Sequence, residues 1–346
     1  DFIDDVVALS PNLDAIFDRC EGYTSGNLRA FLTSDKHRFD EQVFYSTFPD
    51  DSVATIREKH DLRKKVEAIL DDNPDKETAL REIVNLNPVN VQDNAKLRKN
   101  LFFGGLVALI IGGLIVFNIF FVVLLVVVLG ALYWLLNEPW KEVNAAFSGQ
   151  TGAYEDQVHG LDDAQLIAMS VNRVEPLRLY SREHQIAQNQ FNLYLTFKKD
   201  IHWIRVLRMR AVMFVINTLG KYVLDPGSLG GLSTVHFGVW VLIDDNRRLL
   251  FMTCYDGTWE NYIADFVNHI HPMLDVELMN FVGFSPYGTR DIAAFRRWLR
   301  RVQIQSDVFY SGYPGLTVRN INRDIHINKT LPTRLSKKSD KWLELL

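Results

Sequence analysis

Between Leu101 and Leu136 the chain reads LFFGGLVALIIGGLIVFNIFFVVLLVVVLGALYWLL, with Asn118 its only strongly polar side chain. An apolar run of 18 or more residues predicts a membrane segment. As one helix this run would extend roughly 54 Å at ~1.5 Å per residue, against a hydrocarbon core of ~30 Å. Two legs meeting near Asn118 fit where one straight helix does not. The run therefore predicts a transmembrane or membrane-embedded helical hairpin over 101–136. Lys96, Arg98 and Lys99 precede it and Lys141 follows it, which puts both ends on the cytoplasmic side. Trp134 and Trp140 would lie at that interface. The turn Val116–Phe120 carries no charge, so a hairpin that dips into the bilayer without crossing is one alternative, and a buried core hairpin of a soluble protein is another. Its internal position excludes a secretory signal.

Elsewhere the apolar period is shorter. Asn189–Lys198 alternates as a half-buried strand does, and Ile204–Val223 has helical spacing that stops before Asp225-Pro226-Gly227. Ser233–Asp244 and Arg248–Asp256 read as a hairpin across Asp245-Asn246. Helices are predicted over Glu260–His269 and Arg290–Val302, and a last strand over Asp307–Tyr310. This βαββαβ order is the ferredoxin-like split unit, and the fold class is α+β.

The opening of the chain recurs near its end. Phe2-Ile3-Asp4-Asp5 resembles Tyr262-Ile263-Ala264-Asp265, and Val43-Phe44-Tyr45-Ser46 is identical to Val308-Phe309-Tyr310-Ser311. Pro49, Val53 and Ile56 correspond to Pro314, Val318 and Ile321. Blocks in the same order and at nearly the same offset predict an internal duplication. Residues 1–70 would be the C-terminal half of a first ferredoxin-like repeat, its other half belonging to a longer chain, and 188–331 a complete second repeat. Between them lie a polar helical linker (71–100, helix over Lys76–Asn85), the hairpin (101–136) and a connector (137–187, short amphipathic helix over Asp162–Met169). Residues 332–346 form a basic tail. Two such sheets can cover each other as an α+β barrel of the dimeric type, which requires both on one side of the membrane, as a hairpin allows.

Composition narrows the functions. A net charge of −4 gives no reason to expect nucleic acid. Cys20 and Cys254 make neither a metal spacing nor a disulfide framework, which suits a reducing compartment. No Ser/His/Asp signature, phosphate loop or nucleotide fingerprint is present.

On strand 233–244, Val235, Phe237, Val239, Val241 and Ile243 share one face by alternation, leaving His236, Gly238 and Trp240 on the open face. Gln190, Asn192, Tyr194 and Thr196 leave the apolar phase too. Asn192, Tyr194, His236 and Trp240, with Tyr255 and Tyr310, form the candidate ligand-binding set. His236 and Asp256 are the candidate catalytic residues: a neutral imidazole that moves a proton, and an acid needing a raised pKa. The structural alternatives are a hydrogen-bonded interface histidine, and an aspartate capping the helix near Trp259. His269-x-His271 lacks a third ligand, so no metal site is predicted. Arg205, Arg208 and Arg210 suit anionic head groups or a solvated helix face.

On QNQFNLYLTFK, LGGLSTVHFGVWVLIDDNRRLLFMTCYDGTWENYIADFV and VFYSGYPGLTVRNIN the second copy resembles a group of largely uncharacterised bacterial membrane proteins with tandem ferredoxin-like units. That group is distantly similar in fold to dye-decolourising peroxidases and chlorite-dismutase-like haem proteins. His236-Phe237 and Tyr255-Asp256-Gly257 carry the likeness, which covers 1–70 and 188–331. The peroxidases' Gly-x-x-Asp-Gly motif is kept at Asp256-Gly257, but Thr253 stands at its first glycine and no residue matches the proximal histidine. The resemblance implies the fold more firmly than the function. The expected function is a membrane-anchored barrel binding a hydrophobic (lipid-, quinone- or haem-like) ligand in a cavity lined by His236 and Trp240, with peroxidase-like oxidoreduction as one chemistry open to it; the cofactor is left unassigned, haem being one candidate. The alternative is a non-catalytic accessory or scaffold subunit of a larger membrane complex. Membrane lipid is the expected partner, with other subunits or a second copy.

Overall fold

The structure, a computed structural model, describes residues 41–90, 94–149, 187–224, 226–228, 231–306 and 309–333, with 23–24, 26–34 and positions 7, 13, 17, 20 and 342. Within 95–149 the backbone is described throughout and the side chains at 95–112, 125–135 and 137. The chain forms two compact units, Asp1–Gln42 and Val43–Leu346. In the first, helix α1 (Leu28–Thr33) carries Phe31, whose ring meets Tyr23 edge-on at 5.3 Å. All other elements of the described residues belong to the second unit. The predicted helix 162–169 and most of the basic tail lie outside the described residues.

The second unit is α+β. Strands β1 (Val43–Ser46), β2 (Gln188–Thr196), β3 (Val235–Ile243), β4 (Arg248–Asp256) and β5 (Gln303–Ile304) form one antiparallel sheet in the order β1-β3-β4-β2-β5. β2 to β5 thus take the order that the βαββαβ succession predicts, with β4 of the hairpin against β2 and β5 on β2's other edge. The hairpin turns through Asp244, Asp245 and Asn246 at φ of 53°, 55° and 62°. Asp and Asn tolerate this left-handed region because their short polar side chains bond locally; Arg248 reaches back to Asp244 at 2.6 Å. β1 extends the sheet beyond β3, with Val43 opposite Trp240. Of the predicted strand Asp307–Tyr310, positions 307 and 308 lie outside the described residues, and Phe309 and Tyr310 belong to no strand. Its place on β2 is taken by Gln303–Ile304, paired with Leu193 and Asn192, where the chain leaves a helix already extended. Phe309 and Tyr310 instead open a loop rich in turn residues, Ser311-Gly312-Tyr313-Pro314-Gly315.

Helices α2 (Val53–Asp72) and α3 (Lys76–Ile83) are capped by Ser52 and Asp75, which accept from the Thr55 and Thr78 N–H groups. Beyond the long α4 (Ala95–Gly149) follow α5 (His202–Thr218), which runs into a π-helical turn (Leu219–Val223), and α6 (Trp259–Leu278). α7 (Ile292–Val302) and α8 (Val318–Thr330) come next. α5, α6 and α7 cover one face of the sheet: Phe191, Leu193, Leu249 and Tyr255 pack on Met209, Val212, Tyr262, Phe295 and Trp298. Each fully buried side chain of this kind contributes about 1.5–3 kcal/mol. α6 kinks at Ile270 (φ −132°), two residues before Pro272, whose ring cannot follow a regular helix. α2 packs on α8 through Leu62, Val66 and Ile327. The buried Asp324 accepts from Arg63 Nε at 2.6 Å and contacts His60 at 3.0 Å across the same pair.

The predicted hairpin is corrected. Residues 95–149 form one helix of 55 residues, with no turn at Val116–Phe120. No proline interrupts 101–136, and a lone Asn118 costs a helix only a fraction of a kcal/mol, about 0.7 at most. The helix is not straight, however. Phe102 stacks on Tyr222 at 5.1 Å, and the Leu135 carbonyl accepts from Arg208 Nε at 3.0 Å. Arg208 and Tyr222 are ~21 Å apart along their shared helical segment. Helices pack at roughly 8–10 Å, so the two contact points on α4 lie within about 40 Å, where a straight helix would set them ~50 Å apart. α4 therefore bends between Phe102 and Leu135.

The Arg208 contact has a cause in the sequence. Leu135 would normally bond the N–H four residues on, but that residue is Pro139, which has none. The guanidinium supplies the missing donor, while its Nη1 bonds Asn280 at 3.2 Å. Arg208 is buried, as is Arg205, which pairs with Asp200 at 2.5 Å; only Arg210 is exposed. Two of the three expected head-group arginines thus serve the fold.

Among the described residues no helix is long and apolar enough to cross a membrane. Leu101, Val107, Leu109, Ile111 and Val126–Leu129 are nevertheless exposed, Val127 at 60%.

Candidate functional site

β3 pairs with β4 in regular register from Ile243 opposite Arg248 to Phe237 opposite Cys254; the next pair is Val235 opposite Tyr255. His236 is therefore the extra residue of a β-bulge. One extra residue inverts the side-chain phase of everything beyond it. Val235, Trp240 and Leu242 all join the helix-covered core, whereas Phe237, Val239, Val241 and Ile243 face the other side. The predicted facing of Trp240 is thus inverted, and His236 and Trp240 do not share a cavity. They serve two.

The first lies between the sheet and the helices. It measures about 160 Å³ and is walled by Leu193, Trp240 and Phe251 from the strands. Leu219 and Leu224 from the π-helical region, with Phe266, Ile270 and Met273 around the kink of α6, complete it. One carboxyl, Glu277, enters this wall. Its Oε1 accepts from Trp240 Nε1 at 2.8 Å. Burial pushes the Glu277 pKa up to about 7, although the Trp240 hydrogen bond opposes the rise. Gly238 leaves room for the indole: a Cβ there would sit 2.9 Å from Trp240 Cζ3. Sequence reasoning missed Glu277. Its signal was a carboxylate on the apolar stripe of α6, at helical spacing from Met273 and Leu274.

The second cavity, about 230 Å³, lies beside His236, Phe237, Cys254 and the loop Phe309–Tyr313, with Phe48 opposite. His236 is 3% exposed, and the structure brings the two candidate catalytic residues together: His236 Nε2 lies 2.8 Å from Asp256 Oδ1. Nδ1 lies 3.3 Å from the Tyr313 hydroxyl. Asp256 Oδ2 accepts from the N–H of Val318 at 2.6 Å, at the positive end of α8. Asp256 therefore does not cap the helix at Trp259; Thr258 does, accepting from Asn261 N–H at 3.3 Å. With Asp256 as the anion, His236 donates from Nε2 and its Nδ1 accepts from Tyr313. Gln188 fixes the loop, donating to the Leu316 carbonyl at 2.6 Å and accepting from Ser311 at 2.5 Å. Burial pushes the Tyr313 phenol and the Cys254 thiol each up to about 12, so both are neutral near pH 7.

The other predicted residues disperse. Tyr255 is wholly buried in the core, stacked on Tyr262 at 4.1 Å. Tyr194 joins a network with Arg248 (2.5 Å) and Asp244 at the opposite end of the strands. Asn192 is buried on the open face, and its Oδ1 has no hydrogen-bond partner among the described residues. Tyr310 is 81% exposed at the rim of the His236 cavity. His269 Nδ1 lies 2.8 Å from the Asp265 carbonyl, and the described residues contain no group of three His, Cys, Asp or Glu that could hold a metal. His236 does not fit as an axial haem ligand, because both ring nitrogens are engaged.

No protein-family model matches this chain, and no curated protein or solved structure does.

Proposed function

We propose that this is a membrane-associated α+β protein that binds an apolar ligand with a single polar head group in the Trp240–Glu277 cavity. The observation that carries this reading is a wall of apolar side chains interrupted by one buried, hydrogen-bonded carboxyl. A cavity of 150 Å³ holds benzene. One ring or a short acyl segment therefore fills this one, as in a quinone head or lipid tail, while a tetrapyrrole is too large. The kink of α6 and the adjoining π-helical turn form its mouth, through which a longer tail would leave.

Membrane association is supported by the 101–136 run and by exposed apolar side chains on α4, which water disfavours. The bend of α4 suits a segment that enters a bilayer and keeps both soluble flanks, 43–94 and 187–333, on the cytoplasmic side. An internal duplication is supported by the packing of counterparts: Ile56 of α2 joins Val318 and Ile321 of α8 in one cluster.

One observation favours the rival reading of a docking subunit: Phe44 and Phe237, at 57% and 36% exposure, stand on the uncovered face of the sheet. Titration of detergent-solubilised protein with 1-octanol and with octane, followed by tryptophan fluorescence, separates the two. On the ligand reading octanol binds more tightly, by about fivefold for one net hydrogen bond, and Leu278→Trp abolishes binding of both. Binding of neither by the wild type would leave only the docking reading.

A further inference from the structure

We propose that Tyr313, His236 and Asp256 form a general-base relay serving the second cavity, and that its substrate is a small, flat, uncharged aromatic molecule with an acidic O–H or activated C–H. The relay does not depend on the ligand of the first cavity. Three features of the arrangement direct the chemistry. Asp256, held at the positive end of α8, fixes the Nε2–H tautomer of His236 and stands ready to stabilise an imidazolium. His236 Nδ1 is then a base aimed at the Tyr313 hydroxyl. Tyr313 itself lines the cavity, where Phe48, Phe237 and Phe309 offer rings for an aromatic guest.

The step balances without any further reagent. The substrate proton passes to Tyr313 Oη as the phenol's own proton passes to His236 Nδ1. The bonding pair stays on the substrate as an anion, and the imidazolium is neutralised by Asp256. Tyr313 and His236 are the catalytic residues, and Asp256 is a positioning residue. Besides Tyr310, whose phenol stands exposed at the rim, the other titratable groups at the cavity are Cys254, whose burial keeps it a thiol, and Asp51, whose carboxylate pairs with Lys59 at 2.5 Å. Neither competes for the proton. With two carboxylates nearby, a neutral guest is preferred to an anion.

The test uses 5-nitrobenzisoxazole, a flat aromatic C–H acid. Loss of its proton forms a nitrile, breaks the ring N–O bond and releases a coloured nitrophenolate. The full chain in detergent should accelerate this ring opening at least ~100-fold over free imidazole at equal concentration and pH. Tyr313→Phe and His236→Gln should each remove the acceleration while circular dichroism stays native. Asp256→Asn should weaken it, shift its pH profile and move the histidine nitrogen-15 signals away from the Nε2–H tautomer. A wild-type rate no higher than imidazole overturns the proposal. So does a Tyr313→Phe variant as fast as wild type, an outcome that stays decisive even where His236→Gln fails to fold.

Discussion

Glu277→Gln is the perturbation whose size can be worked out most directly. In the unfolded chain the carboxyl titrates near 4.5; in the fold, burial moves it to about 7. Between those values the native state keeps a proton that the unfolded state has released. Stability therefore falls as pH rises, by ~1.4 kcal/mol per pH unit. The stabilising difference is fully present below pH 4.5 and is lost by the time pH passes 7, about 3 kcal/mol in all. Glutamine keeps an oxygen acceptor for Trp240 and carries no charge to bury. The variant should match wild type at pH 4.5 and exceed it by about 3 kcal/mol at pH 8. That corresponds to ~1 M in urea midpoint for an m-value near 3 kcal/mol/M. The assay is urea unfolding in detergent at several pH values, read as the difference between the two proteins so that all other titrations cancel. Parallel curves for the variant and the wild type would refute a buried, proton-retaining carboxyl.

Gly238→Ala should cost about 1–3 kcal/mol, because its methyl would meet Trp240 at 2.9 Å; thermal unfolding and the Trp240 environment by fluorescence report it. Arg208→Met should leave the Leu135 carbonyl without a donor and lower stability by about 1–3 kcal/mol, with protease cleavage within 95–149 as the local readout. Native protein treated with iodoacetamide should be alkylated at the exposed Cys20 and spared at Cys254 until denatured, as intact mass will show.

The sheet was legible because β2 and β4 have clear boundaries: alternation on one, a hairpin turn and a terminal Asp-Gly on the other. The facing of β3 was not. Its residues are apolar on both sides, so alternation could not reveal the bulge at His236, and the inverted phase separated Trp240 from His236. The His236–Asp256 contact was not foreseen, since the sequence offered the two residues only separately; the bulge and the strand end bring them together. Glu277 was hidden by its apolar neighbours on α6, and Tyr313 by lying in the loop beyond the predicted strand Asp307–Tyr310, where no site was sought. In the long helix, the absence of proline from 101–136 allowed a continuous backbone where length alone suggested two legs. Pro139 and Arg208 were readable only as a pair, since the orphaned carbonyl they share exists once the two helices meet.

Native mass spectrometry of the protein gently extracted from the cells that make it, beside a Leu278→Trp variant that fills the cavity, tests the central claim most directly. A stoichiometric small-molecule adduct on the wild type that is missing from the variant is the predicted result. An adduct retained by Leu278→Trp, or none on either protein, would contradict an apolar ligand site between the sheet and α6.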